Sequence, residues 1–295
     1  MHRFGRGLAL LLGAALLSGC GGTAKPAPPP ATNPPSRPVT KLLVFVVENH
    51  NLDQMRSDMP YTFGLAQRYG YATDWQAITH PSLPNYLAMT GGSTYGVSDD
   101  EPPASHRVPG PSVFGQALAA GRTAKTYAES MTSNCEQDDD GDYAVRHNPW
   151  TYYVDPAERS ACKAHDVPLT AFGPDVRAGR LPNIGLVVPN VCNDAHDCSL
   201  GTADSWFQAR MQQVFAGPDW KSGHLAVVLT ADEGSSGSNA VLTVVIHPSQ
   251  HHHVVSTRLT HYSLARLAED VVGAPHQNQA ASAPNAATAF GLPLR

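Results

Sequence analysis

The sequence predicts an α/β fold, built around a largely parallel central sheet that is flanked by helices. Four short apolar runs rich in β-branched residues are typical of buried strands. These runs lie at positions 42–47, 184–188, 225–230 and 241–246. Segments with helical spacing lie between and after them, and an alternation of strands with helices indicates a parallel sheet.

The predicted helices begin with a short one at residues 61–69. Residues 112–120 form another, which ends before Gly121, a residue suited to a helix C-cap. A longer helix covers residues 203–215, and an amphipathic helix at residues 262–272 closes the predicted domain.

The N-terminus has the features of a secretory signal, with basic residues before a short apolar run at 8–17. This run closes on Cys20, and the preceding Leu-Ser-Gly resembles the bacterial lipobox, in which that cysteine is acylated. The alternative is an ordinary signal peptide with a chance cysteine. Residues 21–38 are rich in Pro, Ala, Gly and Thr, a composition that suits an extended tether. We therefore expect export, as a bacterial cell envelope lipoprotein or a secreted protein, with membrane contact only through the lipid.

The predicted organisation has four parts. Residues 1–19 form the signal peptide, 20–40 the lipidated cysteine and tether, 41–273 one catalytic domain, and 274–295 a loosely packed tail. The net charge of -5 argues against a nucleic-acid partner, and a monomer is expected.

Four cysteines remain after Cys20, an even number that suggests two disulfides in an exported chain. Four cysteines allow three pairings, and proximity in the sequence favours Cys135–Cys162 and Cys192–Cys198. A zinc site is the weaker alternative, because no cysteine pair has the close spacing that such sites use.

Polar residues directly follow each predicted strand. These are Glu48-Asn49, Asn190, Asp232-Glu233 and His247. If the strands are parallel neighbours, these groups converge at the edge of the sheet where α/β proteins bind ligands. The oxygen ligands suit Mg²⁺, Ca²⁺ or Mn²⁺, and nearby histidines would also admit Zn²⁺. The simpler alternative is helix capping by Asn49 or Asp232.

Ser82 precedes a helix predicted to start near Pro84, so its hydroxyl would lie beside unpaired backbone N–H groups that favour anions. By itself this pattern fits a simple N-cap. A neighbouring cation would favour a nucleophile, because the cation can activate the hydroxyl.

The stretch from Ser82 to Asn85 matches the Ser/Thr-x-Pro-Asn pattern around the nucleophile of alkaline phosphatase-like phosphodiesterases and phosphatases. More broadly, the chain resembles the bacterial phosphoesterase family of secreted acid phosphatases and phosphatidylinositol-3-phosphate phosphatases, to which phospholipases C are related. The matching segments keep the family's order and span nearly the whole body of the chain. They lie at positions 46–49, 80–86, 143–149, 189–198, 230–234 and 261–264.

The resemblance implies an alkaline phosphatase-like fold and a role for each matched residue. Glu48, Asn49, Asp232 and Glu233 would bind a divalent metal ion. Ser82 would be the nucleophile, forming a phosphoseryl intermediate that water then hydrolyses.

The remaining matched residues would line the substrate pocket. Asn85 would contact phosphate oxygens, and His147 and Asp197 would also bind substrate. His196 lies between Cys192 and Cys198, where a disulfide could hold it rigidly, and it would donate a proton to the leaving group.

The sequence thus predicts a phosphomonoesterase that resembles acid phosphatases and acts on small-molecule or lipid phosphate esters. The alternatives are a phosphodiesterase or phospholipase C acting on lipid head groups, and a lipoprotein that binds a phosphorylated ligand without turnover. A sulfatase is disfavoured, because Tyr86 stands where the formylglycine-forming motif requires arginine.

Overall fold

The computed structural model describes residues 32–235 and 237–295. These residues form one nine-stranded sheet. Its strands are β1 (Lys41–Val47), β2 (Gly70–Gln76), β3 (Ala124–Ala128), β4 (Asp166–Pro168), β5 (Ile184–Val188), β6 (Leu225–Ala231), β7 (Ala240–Ile246), β8 (His253–Val255) and β9 (Leu259–Thr260).

Helices cover the sheet and contribute to its core. They are α1 (Leu52–Asp58), α2 (Pro60–Arg68), α3 (Ser82–Gly91), α4 (Val113–Ala119), α5 (Pro156–His165), α6 (Phe172–Arg177), α7 (Leu200–Ala216), α8 (Pro218–Lys221), α9 (His261–Val272) and α10 (Ala286–Phe290). Short 3-10 turns lie at Val145–His147, Pro149–Tyr152, Leu169–Ala171 and Asn278–Ala281.

The strand order is β4-β3-β5-β1-β6-β7-β2-β8, with β9 also paired to β2. The five strands from β4 to β6 run parallel, and β7 is the antiparallel member between β6 and β2. All residues of β5 and β6 are buried, as are all of β1 beyond Lys41. The prediction of a largely parallel α/β fold is confirmed, because strands covered on both faces are continuous apolar runs.

The antiparallel direction of β7 corrects one expectation. His247 follows this strand, so it lies at the edge of the sheet opposite the end of β6. There its Nε2 is 3.1 Å from the carbonyl oxygen of Gly223. Burial lowers the pKa of His247 to about 4. His247 is therefore part of the core at the amino-terminal edge of the parallel strands.

The segment after Gly273 also differs from the expected loose tail. Phe290 in α10 is 1% exposed, and the backbone N–H of Gln279 donates to the carbonyl of Gly92. The segment packs because small alanines let it approach α3 and α9 closely, so that few large side chains are needed to bury it.

The first described residues run along the amino-terminal edge of the sheet. Asn33 Oδ1 accepts a 2.8 Å hydrogen bond from Tyr69 OH, and the N–H of Arg37 donates to the Gly223 carbonyl. The N–H of Val39 donates to the carbonyl of Pro293, so the two ends of the described chain meet here.

Both predicted disulfides are present, at Cys135–Cys162 and Cys192–Cys198. The predicted signal peptide and Cys20 lie outside the described residues. Within the part of the chain that the structure describes, no helix combines the length and apolar character needed to cross a membrane.

Candidate active site

The first carboxylate of the site is Glu48, which directly follows β1 and is completely buried. Ser82 Oγ donates a 2.9 Å hydrogen bond to Glu48 Oε2, and the Tyr86 hydroxyl donates to Oε1. Burial, followed by the carboxylate of Asp232, raises the pKa of Glu48 well above its ordinary value. A positive charge beside Glu48 would favour its ionised form.

Ser82 is the first residue of α3, and every residue of this helix is buried. The helix begins two residues before the predicted start at Pro84, because Pro81 occupies the N-cap. The N–H of Leu83 does not remain free, since it donates a 2.8 Å hydrogen bond to Asp100 Oδ1. Asp100 was not among the predicted site residues, and its position on this helix terminus could not be inferred from its place in the chain.

Asn85 is buried one turn further along α3, where its side chain holds the loop before Ser82. Its Oδ1 accepts from the N–H groups of Ile78 and Thr79 at 2.9 and 3.2 Å. Its Nδ2 donates to the carbonyl of Thr79 at 2.8 Å and to Glu233 Oε2 at 3.1 Å. A contact between Asn85 and phosphate, as the resemblance implies, would have to replace one of these bonds.

Asp232 and Glu233 follow β6, the strand paired with β1. Asp232 Oδ1 accepts a 2.9 Å hydrogen bond from the N–H of Asn49, a residue in the left-handed region with φ 55°. Asp232 Oδ2 is buried and accepts no hydrogen bond from the described residues. His80 Nδ1 lies 3.1 Å from Glu233 Oε1 at the mouth of the site. The two acidic strand ends therefore converge, as expected for parallel neighbours.

His147 and Asp194 complete the buried part of the site. His147 Nε2 is 3.4 Å from Glu48 Oε2, and its Nδ1 is 3.0 Å from Asp194 Oδ2. None of these contacts has hydrogen-bond geometry, so both ring nitrogens and Asp194 Oδ2 lack a hydrogen-bond partner among the described residues. Burial, followed by Arg146, keeps the pKa of His147 well below its usual value. His147 thus lies between the side chains of Glu48 and Asp194, in surroundings that disfavour its protonated form.

Asp194 is a site residue that the sequence reasoning missed. It stands in the segment between Cys192 and Cys198, and the prediction selected its neighbours His196 and Asp197. Its carbonyl accepts from the N–H of Glu48 at 2.8 Å, which turns its side chain inward. The signal available was an acidic residue in a short disulfide-closed loop after a buried strand.

His196 and Asp197 lie at the rim of the site, with side chains 33% and 60% exposed. His196 Nδ1 is 2.6 Å from Asp197 Oδ1, and its Nε2 is 3.3 Å from the guanidinium of Arg146. Arginine can only donate, so these partners assign the ring proton to Nδ1 and leave Nε2 as an acceptor.

His261, in the last of the matched segments, holds the backbone at Asp232. Trp75 Nε1 donates a 3.2 Å hydrogen bond to His261 Nδ1. This contact fixes the ring proton on Nε2, which lies 2.6 Å from the carbonyl oxygen of Asp232. The backbone that presents the unpaired Asp232 Oδ2 is therefore held by a buried pair of side chains.

A divalent cation fits this set of residues. Asp232 Oδ2 and Asp194 Oδ2 are buried oxygens without hydrogen-bond partners, and unpaired buried charges are costly. Among residues 32–235 and 237–295, two groups of three His, Cys, Asp or Glu residues have ligand atoms that all lie within 4.8 Å of one another. One group is Glu48, His147 and Asp194. The other contains the disulfide of Cys135 and Cys162. Asp232 and Glu233, two of the predicted ligands, lie outside both groups.

The buried acids make the stability of the metal-free protein fall as pH rises. Burial raises the pKa of Asp194 and of Asp232 from 3.8 to about 7, and that of Glu233 from 4.5 to about 8. Between the unfolded and folded values, the folded state holds a proton that the unfolded state has lost, so stability falls with pH. His247 and His261 act in the opposite direction below pH 6.5, because burial lowers their pKa from 6.5 to about 4.

We therefore expect the thermal midpoint of chelator-treated protein to fall between about pH 6.5 and pH 8, as scanning fluorimetry would measure. A saturating divalent cation should reduce this fall, because the bound ion replaces protons as the compensating charge. Asp232→Asn should also reduce it, since asparagine does not titrate. A midpoint that stays level or rises over this range would contradict the raised pKa values.

Comparison with known proteins agrees with this geometry. The Phosphoesterase family model matches residues 44–272, which include every site residue described above. The chain belongs to the Phosphoesterase family. The family resemblance inferred from the ordered motifs is therefore confirmed.

Curated relatives of this phosphoesterase include phosphatases. The phosphatidylinositol-3-phosphatase of Mycobacterium tuberculosis is 28% identical over 252 residues, which cover 82% of this chain and 80% of that protein. A probable acid phosphatase of Kluyveromyces lactis is 26% identical over 203 residues, covering 66% of this chain and 48% of that protein. The phosphoesterase thus spans about half the length of such a fungal relative.

Solved structures share the fold of this phosphoesterase. A protein of the alkaline phosphatase superfamily from Vibrio parahaemolyticus matches with a TM-score of 0.59 and 8% identity, over 84% of this chain and 70% of that one. The lipoteichoic acid synthase LtaP of Listeria monocytogenes matches with a TM-score of 0.55 and 10% identity, over 81% and 73%. Identities this low show the fold alone. The family and its phosphatase relatives show that the chain is a hydrolase acting on phosphoric ester bonds.

Proposed function

We propose that this phosphoesterase is a phosphomonoesterase in which Ser82 attacks phosphorus with the help of a divalent cation. The observation that carries the proposal is the 2.9 Å hydrogen bond from Ser82 Oγ to the buried carboxylate of Glu48. Pro81 occupies the N-cap of α3, so Ser82 is not the capping residue. A buried serine that points at an acid instead of its own helix is positioned for chemistry.

The residues that would hold the cation are those implied by the resemblance, Glu48, Asn49, Asp232 and Glu233. The unpaired Asp232 Oδ2 supports this assignment. The oxygen-rich set favours Mg²⁺, Ca²⁺ or Mn²⁺, and a contribution from His147 with Asp194 would favour Zn²⁺. A divalent cation bound here would stabilise the serine oxygen as its alkoxide and offset charge on the phosphoryl oxygens.

The chain's own residues define the steps. The hydroxyl proton of Ser82 points at Glu48 Oε2 and leaves in that direction as Oγ attacks phosphorus. The Oγ–P bond forms while the bond from phosphorus to the ester oxygen breaks, and the released alcohol takes up a proton. Water then attacks the phosphoserine, which releases inorganic phosphate and restores the hydroxyl.

His196 remains the proposed donor of the proton to the leaving group. Its position at the rim, beside Asp197 and 33% exposed, suits a group that meets the leaving alcohol. Nε2 carries no proton in the tautomer described above, so donation from it requires the guanidinium of Arg146, 3.3 Å away, to move off and the ring to take up a proton there as imidazolium. Substrate phosphate would provide a competing anion for Arg146.

The relatives and the proposed export support phosphate monoesters, of lipids or of small molecules, as the substrate class. The name of the Mycobacterium tuberculosis relative puts phosphatidylinositol 3-phosphate among the candidates, and the Kluyveromyces lactis relative is a probable acid phosphatase. We also propose a monomer, because Val254 is the one large apolar side chain among the described residues that is mostly exposed. Acylation at Cys20 is proposed on the sequence alone, and mass analysis of the mature N-terminus would test it.

The deciding experiment compares p-nitrophenyl phosphate with bis-p-nitrophenyl phosphate and phosphatidylinositol 3-phosphate, with and without chelator. We expect hydrolysis of the monoesters that stops on chelation. Preference for the diester would replace the proposal with a phosphodiesterase of the phospholipase C type. A folded, metal-loaded protein that turns over none of the three would be either a phospho-ligand-binding protein or an enzyme too selective for these esters.

A further inference from the structure

Glu129 is a polar side chain beside the site that neither the motifs nor the proposed mechanism uses. It follows β3 directly, and its N–H continues the strand pairing by donating to the carbonyl of Val188 at 2.8 Å. Its carboxylate reaches across to the segment between β5 and α7. Oε2 accepts from the N–H of Asn190 at 3.1 Å and from Asn193 Nδ2 at 2.9 Å.

The other carboxylate oxygen of Glu129 binds α7. Oε1 accepts a 3.0 Å hydrogen bond from Trp206 Nε1 and lies 3.7 Å from the guanidinium of Arg210. That guanidinium stacks over the Trp206 ring, 4.7 Å from its centre. The Glu129 side chain is 19% exposed, so its charge is largely removed from water and is balanced by Arg210. One carboxylate therefore connects a strand end, a loop and a helix.

The loop that Glu129 holds is the one that carries Asp194. Asn190 Oδ1 accepts from the N–H of Asn193 at 3.0 Å, and the Asn190 carbonyl accepts from the N–H of Asp194 at 2.9 Å. These bonds form a tight turn that ends at Asp194. The carbonyl of Asp194 then binds the N–H of Glu48, and its Oδ2 lies 3.0 Å from His147 Nδ1.

We infer that Glu129 is a positioning residue, which sets the place of Asp194 against His147 and Glu48 by holding the turn from Asn190 to Asp194. This inference rests on the proposed function of the site. The side chain of Asn193 donates a hydrogen bond to Glu129, and Asp194 is the next residue along the chain. Loss of the Glu129 contacts removes two hydrogen bonds that hold this turn, one to its backbone and one to its Asn193 side chain.

A second carboxylate on α7 provides a matched comparison. Asp204 accepts from the N–H of Tyr61 and from the N–H and hydroxyl of Thr62, at 2.8, 2.8 and 2.6 Å. It joins α7 to α2 in the way that Glu129 joins α7 to the loop, but it touches none of the site residues. Asp204→Asn therefore measures what the loss of such a junction costs the fold alone.

The test substitutes Glu129 with glutamine, which keeps the shape and one acceptor oxygen but places an NH₂ group against donors. We expect kcat for p-nitrophenyl phosphate to fall about ten- to a hundred-fold, as is usual when an outer partner of a site ligand is lost, with a smaller change in KM. Asp204→Asn should lower the thermal midpoint and keep kcat within about two-fold, because it lies outside the loop. Trp206→Phe, which removes one donor, should give a smaller fall in kcat.

A second measurement does not depend on turnover. Amide hydrogen exchange in residues 190–198 should become faster in Glu129→Gln and stay unchanged in Asp204→Asn. Asn193→Ala should add little to the effect of Glu129→Gln on kcat, because both remove the same contact. The inference fails if exchange is unchanged, or if exchange rises while kcat does not fall. An inactive wild type would defeat the proposed function instead, and the exchange result would still show whether Glu129 holds the loop.

Discussion

Ser82→Ala should lower kcat for p-nitrophenyl phosphate by at least about a thousand-fold, because it removes the atom that would form the bond to phosphorus. The substitution also removes a hydrogen bond to the buried Glu48, which should cost about 1–3 kcal/mol of stability. Stopped-rate hydrolysis at matched protein concentration measures the first effect, and chemical denaturation measures the second.

Ser112→Ala is the matched control for this prediction. Ser112 is completely buried, precedes a helix, and donates a 2.9 Å hydrogen bond to the buried Glu158, as Ser82 does to Glu48. It should lose at least as much stability, because Ser112 Oγ also accepts from the N–H of Gly115 as the N-cap of α4, and it should retain wild-type kcat. If Ser82→Ala keeps more than about a tenth of wild-type kcat, another group must supply the nucleophile, and the phosphoseryl route is excluded.

The second large effect concerns Asp232. Asp232→Asn should weaken divalent cation binding by at least about ten-fold and lower kcat by a similar or greater factor, because it replaces an ionised ligand by a neutral amide. Titration calorimetry with Mn²⁺ and Zn²⁺ gives the affinity independently of turnover. Chelation of the wild type should reproduce the loss of kcat, and added metal should restore it.

Asp166→Asn provides the comparison for the metal affinity. Asp166 is also completely buried, and burial raises its pKa to about 7, but its oxygens are occupied by Thr126 and Asn148. Its substitution should therefore leave the affinity for the cation unchanged. Equal metal binding in wild type and Asp232→Asn would remove Asp232 from the ligand set and leave Glu48, His147 and Asp194 as the candidate centre.

The sequence indicated the centre of the sheet well, because β1, β5 and β6 are buried on both faces and their apolar runs are unmistakable. It did not indicate β3, since Lys125 and Thr126 interrupt its short apolar pattern. The direction of β7 was also not predictable, because an apolar run has the same appearance in a parallel and an antiparallel strand. That ambiguity is the reason why His247 was expected at the wrong edge.

The site, too, contains residues that the sequence indicated and residues that it did not. Glu48, Ser82 and Asp232 were predicted from strand ends and a motif, and the structure brings them together. Asp194 was missed because its neighbours His196 and Asp197 carry the more recognisable side chains, and only the fold decides which of the three turns inward. Asn85 shows the reverse, since its spacing matched a motif while its amide hydrogen bonds are made to the loop before Ser82 and to Glu233.

The entry of the chain along the amino-terminal edge of the sheet has a consequence for orientation. Ser82 and its neighbours lie at the opposite edge, roughly 20 Å away along strands of seven residues. If residues before Asn33 hold the protein to a membrane, the catalytic opening lies at the end of the domain away from the point of attachment. An enzyme attached in this way has its opening available to dissolved esters and to lipids on a facing surface.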